Sequence, residues 1–130
     1  MVIPRLGLGV WKIPDGEPVR NAVVWALAAG YRHIDTAMIY RNEKGVGEAL
    51  RQSGVPREEI FVTTKLWIDD QGYEQTLHGI KSSLGRLGLD YVDLYLVHWP
   101  FADEDKTSEK RAETWRGMEE IERLGLARSI

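Results

Sequence analysis

Short apolar runs rich in β-branched and aromatic residues alternate along the chain with longer segments whose apolar positions recur every three or four residues. The runs are Leu6 to Val10, Tyr31 to Asp35, Ile60 to Lys65 and Tyr91 to His98, with a fifth starting at Ala127 to Ile130. Each has the nearly continuous apolar character of a strand covered on both faces. Their starts lie 25, 29, 31 and 36 residues apart, and a helical pattern fills each gap. That is the signature of consecutive βα units and of a parallel sheet.

The first helix is predicted over Glu17 to Ala29, with Asp15 near its start, Pro18 in the first turn and Gly30 as its stop. Val19, Val23, Ala26 and Leu27 fall on one face. A second helix runs from Asn42 to Gln52 and ends near Gly54, with Arg41-Asn42-Glu43 read as its cap. The third, Tyr73 to Leu87, places Leu77, Ile80, Leu84 and Leu87 at helical spacing. Phe101 to Glu109, with its acidic Asp103-Glu104-Asp105, reads as a solvated surface loop before a fourth helix over Arg111 to Leu124.

A complete (β/α)8 barrel takes roughly 250 residues, or about 31 per unit, so the 130 residues here correspond to about four units. The expected fold is α/β, the first half of such a barrel, with residues 1–130 as one partial domain. The sequence ends four residues into the fifth strand, leaving an open edge, so truncation is expected. A small doubly wound sheet fits the same spacing.

Composition narrows this picture. With 43% hydrophobic and 28% charged residues the chain is an ordinary folded domain rather than a disordered tail. A net charge of −3 without a dense basic stripe speaks against a nucleic-acid partner. No window reaches the roughly eighteen apolar residues of a membrane helix, and the expectation is a soluble, cytoplasmic protein. Three scattered histidines and no cysteine leave no metal-ligand pattern.

Asp35, Lys65 and His98 close strands two, three and four, at the end of a parallel barrel where reactive groups gather. Tyr40, five residues beyond Asp35, reaches the same rim. A phenol with an ordinary pKa near 10 is a poor proton donor at neutral pH unless a cation stabilises its phenolate. Lys65 is a candidate cation, Asp35 would orient it, and His98 would hydrogen-bond a carbonyl oxygen on which charge develops. The set fits carbonyl reduction, although an Asp–Lys pair at strand ends also occurs as a purely structural ion pair. His33, inside strand two, reads as a hydrogen-bonded structural residue, and His78 as a solvated one. Neither Gly7-x-Gly9 nor Gly45-Val46-Gly47 completes a dinucleotide loop; both read as tight turns or close packing. Of the five tryptophans, Trp25 and Trp115 fall on helices, whereas Trp11, Trp67 and Trp99 follow strands on the rim.

The wording around these residues resembles the aldo-keto reductases. It runs through Gly7-Leu8-Gly9-Val10-Trp11, Gly30-Tyr31-Arg32-His33-Ile34-Asp35-Thr36-Ala37, Tyr40-Arg41-Asn42-Glu43, Val46-Gly47, Thr63-Thr64-Lys65-Leu66-Trp67, Asp90 to Leu96 and His98-Trp99-Pro100. The resemblance implies a catalytic tetrad of Asp35, Tyr40, Lys65 and His98 with Tyr40 as general acid, and a substrate pocket lined by Trp11, Trp67 and Trp99. It implies a nicotinamide cofactor, NADPH, touching Asp35, Val10 and Trp11, and a small carbonyl substrate. Gln71-Gly72-Tyr73-Glu74-Gln75 is similar to bacterial members acting on keto-sugar acids and dicarbonyls. The family's remaining cofactor contacts follow strand five, past Ile130, so the expectation is that the 130-residue chain alone is inactive and self-associates through its open edges, while the full-length parent is a monomer. The rival readings are a nucleotide-sensing auxiliary subunit and a half-barrel assembly module.

Overall fold

The computed structural model describes residues 2–100 and 108–130. Four parallel strands form one sheet in sequence order: β1 (Leu8–Gly9), β2 (His33–Asp35), β3 (Phe61–Leu66) and β4 (Leu94–Val97). Between and after them run α1 (Glu17–Ala28), α2 (Glu43–Gln52), α3 (Tyr73–Leu87) and α4 (Ser108–Arg123). The order without crossovers is the one consecutive βα units generate when each helix returns the chain to the next strand on the same side.

The pairing register sets which side chains share a face. Gly9 lies opposite Asp35, Asp35 opposite Thr63, and Lys65 opposite Leu96. Strand alternation then puts Ile34, Val62, Thr64, Leu66 and Tyr95 on the helix side. There they join Val19, Val23, Leu27, Val46, Ile80, Leu84, Met118 and Ile121 in one core. His33, Asp35, Thr63, Lys65, Leu94 and Leu96 line the opposite face, where Leu94 and Leu96 are half-buried while Tyr95 between them is buried.

The face predicted for α1 is the observed one: Val19, Val23, Ala26 and Leu27 are its buried residues, and Gly30 stops it at φ 96°. Gly47 accounts for the close packing read from Gly45-Val46-Gly47. A Cβ at Gly47 would overlap the Leu87 backbone carbonyl, and one at Gly45 would overlap the Val19 side chain, so α2 approaches α1 and α3 at backbone distance.

Several elements differ from expectation. The strands are shorter than the apolar runs because Leu6 turns outward to solvent and Val92, ahead of β4, pairs only through an isolated bridge to Ala127. The fifth run, Ala127 to Ile130, is not a full strand. It pairs with the β4 segment through the Val92–Ala127 bridge and through bonds from Arg128 N to Val92 O and from Tyr95 N to Ser129 O. Ser108 and Glu109 are helical and belong to α4 rather than to the predicted loop. The rest of that loop, with Asp103, Glu104 and Asp105, lies outside the described residues. Asp15 does not cap α1: Gly16 holds that position, and the Asp15 carboxylate accepts a bond from Gly45 N at 2.8 Å.

Below the strands, Asp93 is 1% exposed and gathers Arg57 at 2.7 Å, Arg128 at 3.4 Å and the Val62 amide at 2.9 Å. Both guanidiniums lie 4.2 Å from the Tyr91 ring centroid. This clasp ties β3, β4 and the 127–130 segment together at the end opposite the site.

Candidate active site

Three side chains expected to act together are in contact. Lys65, the penultimate residue of β3, donates from Nζ to Asp35 Oδ1 at 2.7 Å, to the Thr36 carbonyl at 2.8 Å and to Tyr40 Oη at 3.4 Å. Asp35 ends β2, and its neighbour Thr36 keeps the sheet bond to Thr63 O, so two of the three acceptors are fixed by the sheet. Tyr40 arrives from a single 3-10 turn, Met38–Tyr40, closed by Arg41 at φ 56°. That left-handed residue, uncommon outside glycine, turns the chain into α2 immediately behind the phenol.

His98 completes the group by ring contacts. Its centroid lies 5.7 Å from Tyr40 and 5.4 Å from Trp67, both edge-on, and 6.5 Å from Trp99, nearly parallel. Burial, reinforced by the Lys65 charge and opposed by Asp35, holds the His98 pKa below the usual histidine value. Its Nδ1 is buried without a hydrogen-bond partner among the described residues. A proton on Nδ1 would be a sealed donor with no acceptor, so the neutral ring favours carrying it on Nε2.

Trp67 and Trp99 thus flank His98. Trp11 stands apart from them, 65% exposed, with the Lys12 ammonium 4.5 Å from its ring centroid. Val10 does not fit the cofactor contact expected of it. It is fully buried, its N–H is bonded to Asp35 O, and its carbonyl accepts from Ile13 N and Asn42 Nδ2. The open positions of that turn are Trp11 and Gly9, where a Cβ would meet nothing within 4 Å.

His33 shares a 2.9 Å bond with Thr63 Oγ1 and stacks edge-on with Phe61, and its pKa is lowered chiefly by burial. His78 is exposed beside Ser82. Trp25 and Trp115 are exposed on their helices. Among the described residues no three His, Asp or Glu side chains gather as a metal site, and no helix is long and apolar enough to cross a membrane.

Two residues near the site escaped the reading of the sequence. Lys12, at φ 62°, puts an exposed cation on the rim, and the turn between Trp11 and Pro14 was its available signal. Asn42, read as a helix cap, makes no cap bond. It is fully buried, accepts from Thr36 Oγ1 at 2.9 Å, and donates to the Val10 and Ile13 carbonyls at 2.9 Å each.

The family model described as "Aldo/keto reductase family" matches residues 5–130. The chain belongs to the aldo/keto reductase family. It is 56% identical over 119 residues to the 9,11-endoperoxide prostaglandin H2 reductase of Trypanosoma cruzi, covering 92% of this chain and 40% of that one. To the glyoxal reductase of Bacillus subtilis it is 49% identical over 128 residues, 98% of this chain and 44% of the relative. Among solved aldo-keto reductases, one from Brucella melitensis superposes with a TM-score of 0.89 at 52% identity, over 97% of this chain and 47% of that one. A Bombyx mori aldo-keto reductase in complex with NADP does so with a TM-score of 0.86 at 45% identity, over 97% and 45%. The chain therefore spans less than half the length of the relatives it matches, and its four βα units correspond to part of an aldo-keto reductase barrel.

Proposed function

We propose that the protein carrying this chain reduces aldehydes and ketones to alcohols with NADPH, Tyr40 serving as the general acid. The observation that carries this reading is the Lys65 ammonium shared between Asp35 Oδ1 and Tyr40 Oη. The NADP complex of the Bombyx mori relative supports the choice of cofactor. The residues present fit it: Asp35 keeps a partly exposed carboxylate for a ribose hydroxyl, and Gly9 leaves the end of β1 open. A bound reduced nicotinamide supplies the hydride for the carbonyl carbon.

The chain's own residues do the rest. His98 Nε2–H donates to the carbonyl oxygen, and as negative charge grows there the Tyr40 hydroxyl donates its proton to the same oxygen. The C=O bond becomes C–OH, and the phenolate left on Tyr40 is stabilised by the Lys65 ammonium until solvent returns a proton. Asp35 and the Thr36 carbonyl hold that ammonium charged and aimed. Trp67 and Trp99, with Trp11 at the rim, exclude water from the reacting oxygen.

Small dicarbonyls are the substrate class this reading favours, supported by the glyoxal reductase and by a solved structure, 40% identical, titled a putative 2,5-diketo-D-gluconic acid reductase B. The 130-residue chain by itself is proposed to be inactive and to self-associate, because helices cover one face of its sheet while Leu94 and Leu96 on the other stay half-open. The test is NADPH oxidation by the full-length protein with glyoxal and methylglyoxal, repeated with Tyr40→Phe. Turnover abolished by the substitution is expected; equal turnover in the variant overturns the assignment of Tyr40.

A further inference from the structure

We infer that Asn42 is a positioning residue, whose amide locks the Trp11 turn and the backbone acceptor of Lys65 into one frame. The inference rests on the carbonyl-reduction reading and extends it to a residue that touches no reacting atom.

The amide is fully buried and has one bond in each direction the site requires. Nδ2 spends both hydrogens on the Val10 and Ile13 carbonyls, at 2.9 Å each, on either side of Trp11 and Lys12. Oδ1 accepts from Thr36 Oγ1 at 2.9 Å, and the carbonyl of that same Thr36 receives the Lys65 ammonium at 2.8 Å. The orientation of the amide is not ambiguous, because a flipped amide would set its oxygen against two carbonyl oxygens. The span is long in sequence, 32 residues to Val10, and short in space.

Residue type matters as much as place. Asn42 occupies the N-cap position of α2, where asparagine ordinarily bonds the first free amides of its own helix, yet it makes no such bond. The α2 amide of Gly45 is instead satisfied by Asp15. The Asn42 side chain is thereby released from local duty and turned toward the site. Aspartate would oppose a carboxylate to two carbonyls, and alanine would take the buried Thr36 hydroxyl's acceptor and the Ile13 carbonyl's side-chain donor away and leave the Val10 carbonyl only the Ile13 N–H. The turn that displays Trp11 and Lys12, both of them exposed and Lys12 left-handed, has no other side-chain bond to its two flanking carbonyls among the described residues. A misplacement there of about 1 Å can cost as much as 100-fold in rate without any change of reacting group.

The experiment compares Asn42→Ala and Thr36→Val with Arg128→Met, whose lost contacts lie in the Asp93 clasp at the opposite end of the strands. Full-length protein is assayed well below each melting temperature for kcat, KM and the NADPH dissociation constant. The emission of Trp11 is isolated in each background as the difference from the Trp11→Phe derivative. For Asn42→Ala the expected result is a fall in kcat of about tenfold or more, weaker NADPH binding and a shifted Trp11 emission. Thr36→Val should change the same quantities in the same direction by about threefold, and it decides the matter if Asn42→Ala does not fold. Arg128→Met should lower the melting temperature and leave kcat, NADPH binding and Trp11 emission unchanged. Overturning results are variants of Asn42 and Thr36 that melt lower yet retain wild-type kcat, NADPH affinity and Trp11 emission. If the wild-type protein reduces no carbonyl, the function proposed above fails, and the Trp11 emission alone then decides: a shift upholds the positioning role and an unchanged spectrum overturns it.

Discussion

Lys65 Nζ and Asp35 Oδ1 lie 2.7 Å apart across two paired strands, although 30 residues separate them in sequence. The Lys65 side chain is 12% exposed and the Asp35 side chain 32%, so the pair sits where a cation is desolvated enough to act on the neighbouring phenol yet remains open on the carboxylate side. Replacing Lys65 by Met removes the cation from Tyr40 and leaves the Asp35 carboxylate without its partner. On the proposed function, the expected loss of NADPH oxidation by the full-length protein is about 100-fold to 10,000-fold in kcat, with folding checked by circular dichroism. Asp35→Asn should fall between this variant and wild type, because the Thr36 carbonyl still holds the ammonium.

The histidine on the site titrates in a direction that gives a pH prediction. The pKa of His98 is lowered in the folded protein, so below about pH 6.5, the ordinary histidine value, the unfolded chain takes up a proton that the native ring resists. The stability this neutral ring confers is complete above that value and is lost as the pH falls toward the folded pKa. The melting temperature should decline between pH 7.5 and 5.5. His98→Gln should flatten that decline relative to wild type, and a slope identical in the two proteins would count against a depressed His98 pKa. His33, lowered for the same reason of burial, should account for part of the slope that remains.

The α2–α3 contact predicts a stability effect remote from the chemistry. A methyl group at Gly47 would overlap the Leu87 carbonyl, which is backbone and cannot move aside as a side chain would. Gly47→Ala should destabilise the protein by about 1–3 kcal/mol or more, measured by urea denaturation, while Gly85→Ala, on the open face of α3 where a Cβ meets nothing, should be neutral or slightly stabilising.

Asp93 makes a stronger case at the other end of the strands. It is buried with two arginines and a backbone amide as donors, and Asp93→Ala strands the partly buried Arg57 without its carboxylate. A loss of about 3–5 kcal/mol is expected for breaking such a pair, read from the same urea titration.

How far the sequence spoke for itself follows from the range of the forces involved. The βα alternation, the buried stripe of α1 and the positions of Asp35, Lys65 and His98 at strand ends are local patterns, and each appears in the structure where the apolar periodicity puts it. Strand lengths were overread because apolar residues such as Leu6 continue past the last sheet bond into solvent. Asn42 was assigned to its own helix because residue type is a local cue, whereas its partners at Val10 and Ile13 are set by tertiary packing. Glu43 was read with Arg41 and Asn42 as a helix cap, yet it is 1% exposed and bonds Thr64 at 2.6 Å and Arg86 at 2.7 Å; nothing in the one-dimensional pattern brings those two residues to it. Val10 was placed at a cofactor by the family resemblance, while strand alternation sends its side chain inward, where it is fully buried.

Asp35, Lys65 and His98 come from three different strands, and Tyr40 from the turn behind the second. The Asp35–Lys65–Tyr40 contacts need β2 and β3 in their final alignment, and His98 joins them only once β4 has paired as well. A slip of β3 by one residue would carry Lys65 to the helix side and bring Thr64 or Leu66 to the rim, with most of the sheet's bonds re-formed. On the proposed function, turnover of the full-length protein therefore reports alignment as well as folding: a misaligned protein would keep its secondary structure and much of its compactness while remaining catalytically silent, and its refolding yield measured by activity should trail its refolding yield measured by circular dichroism.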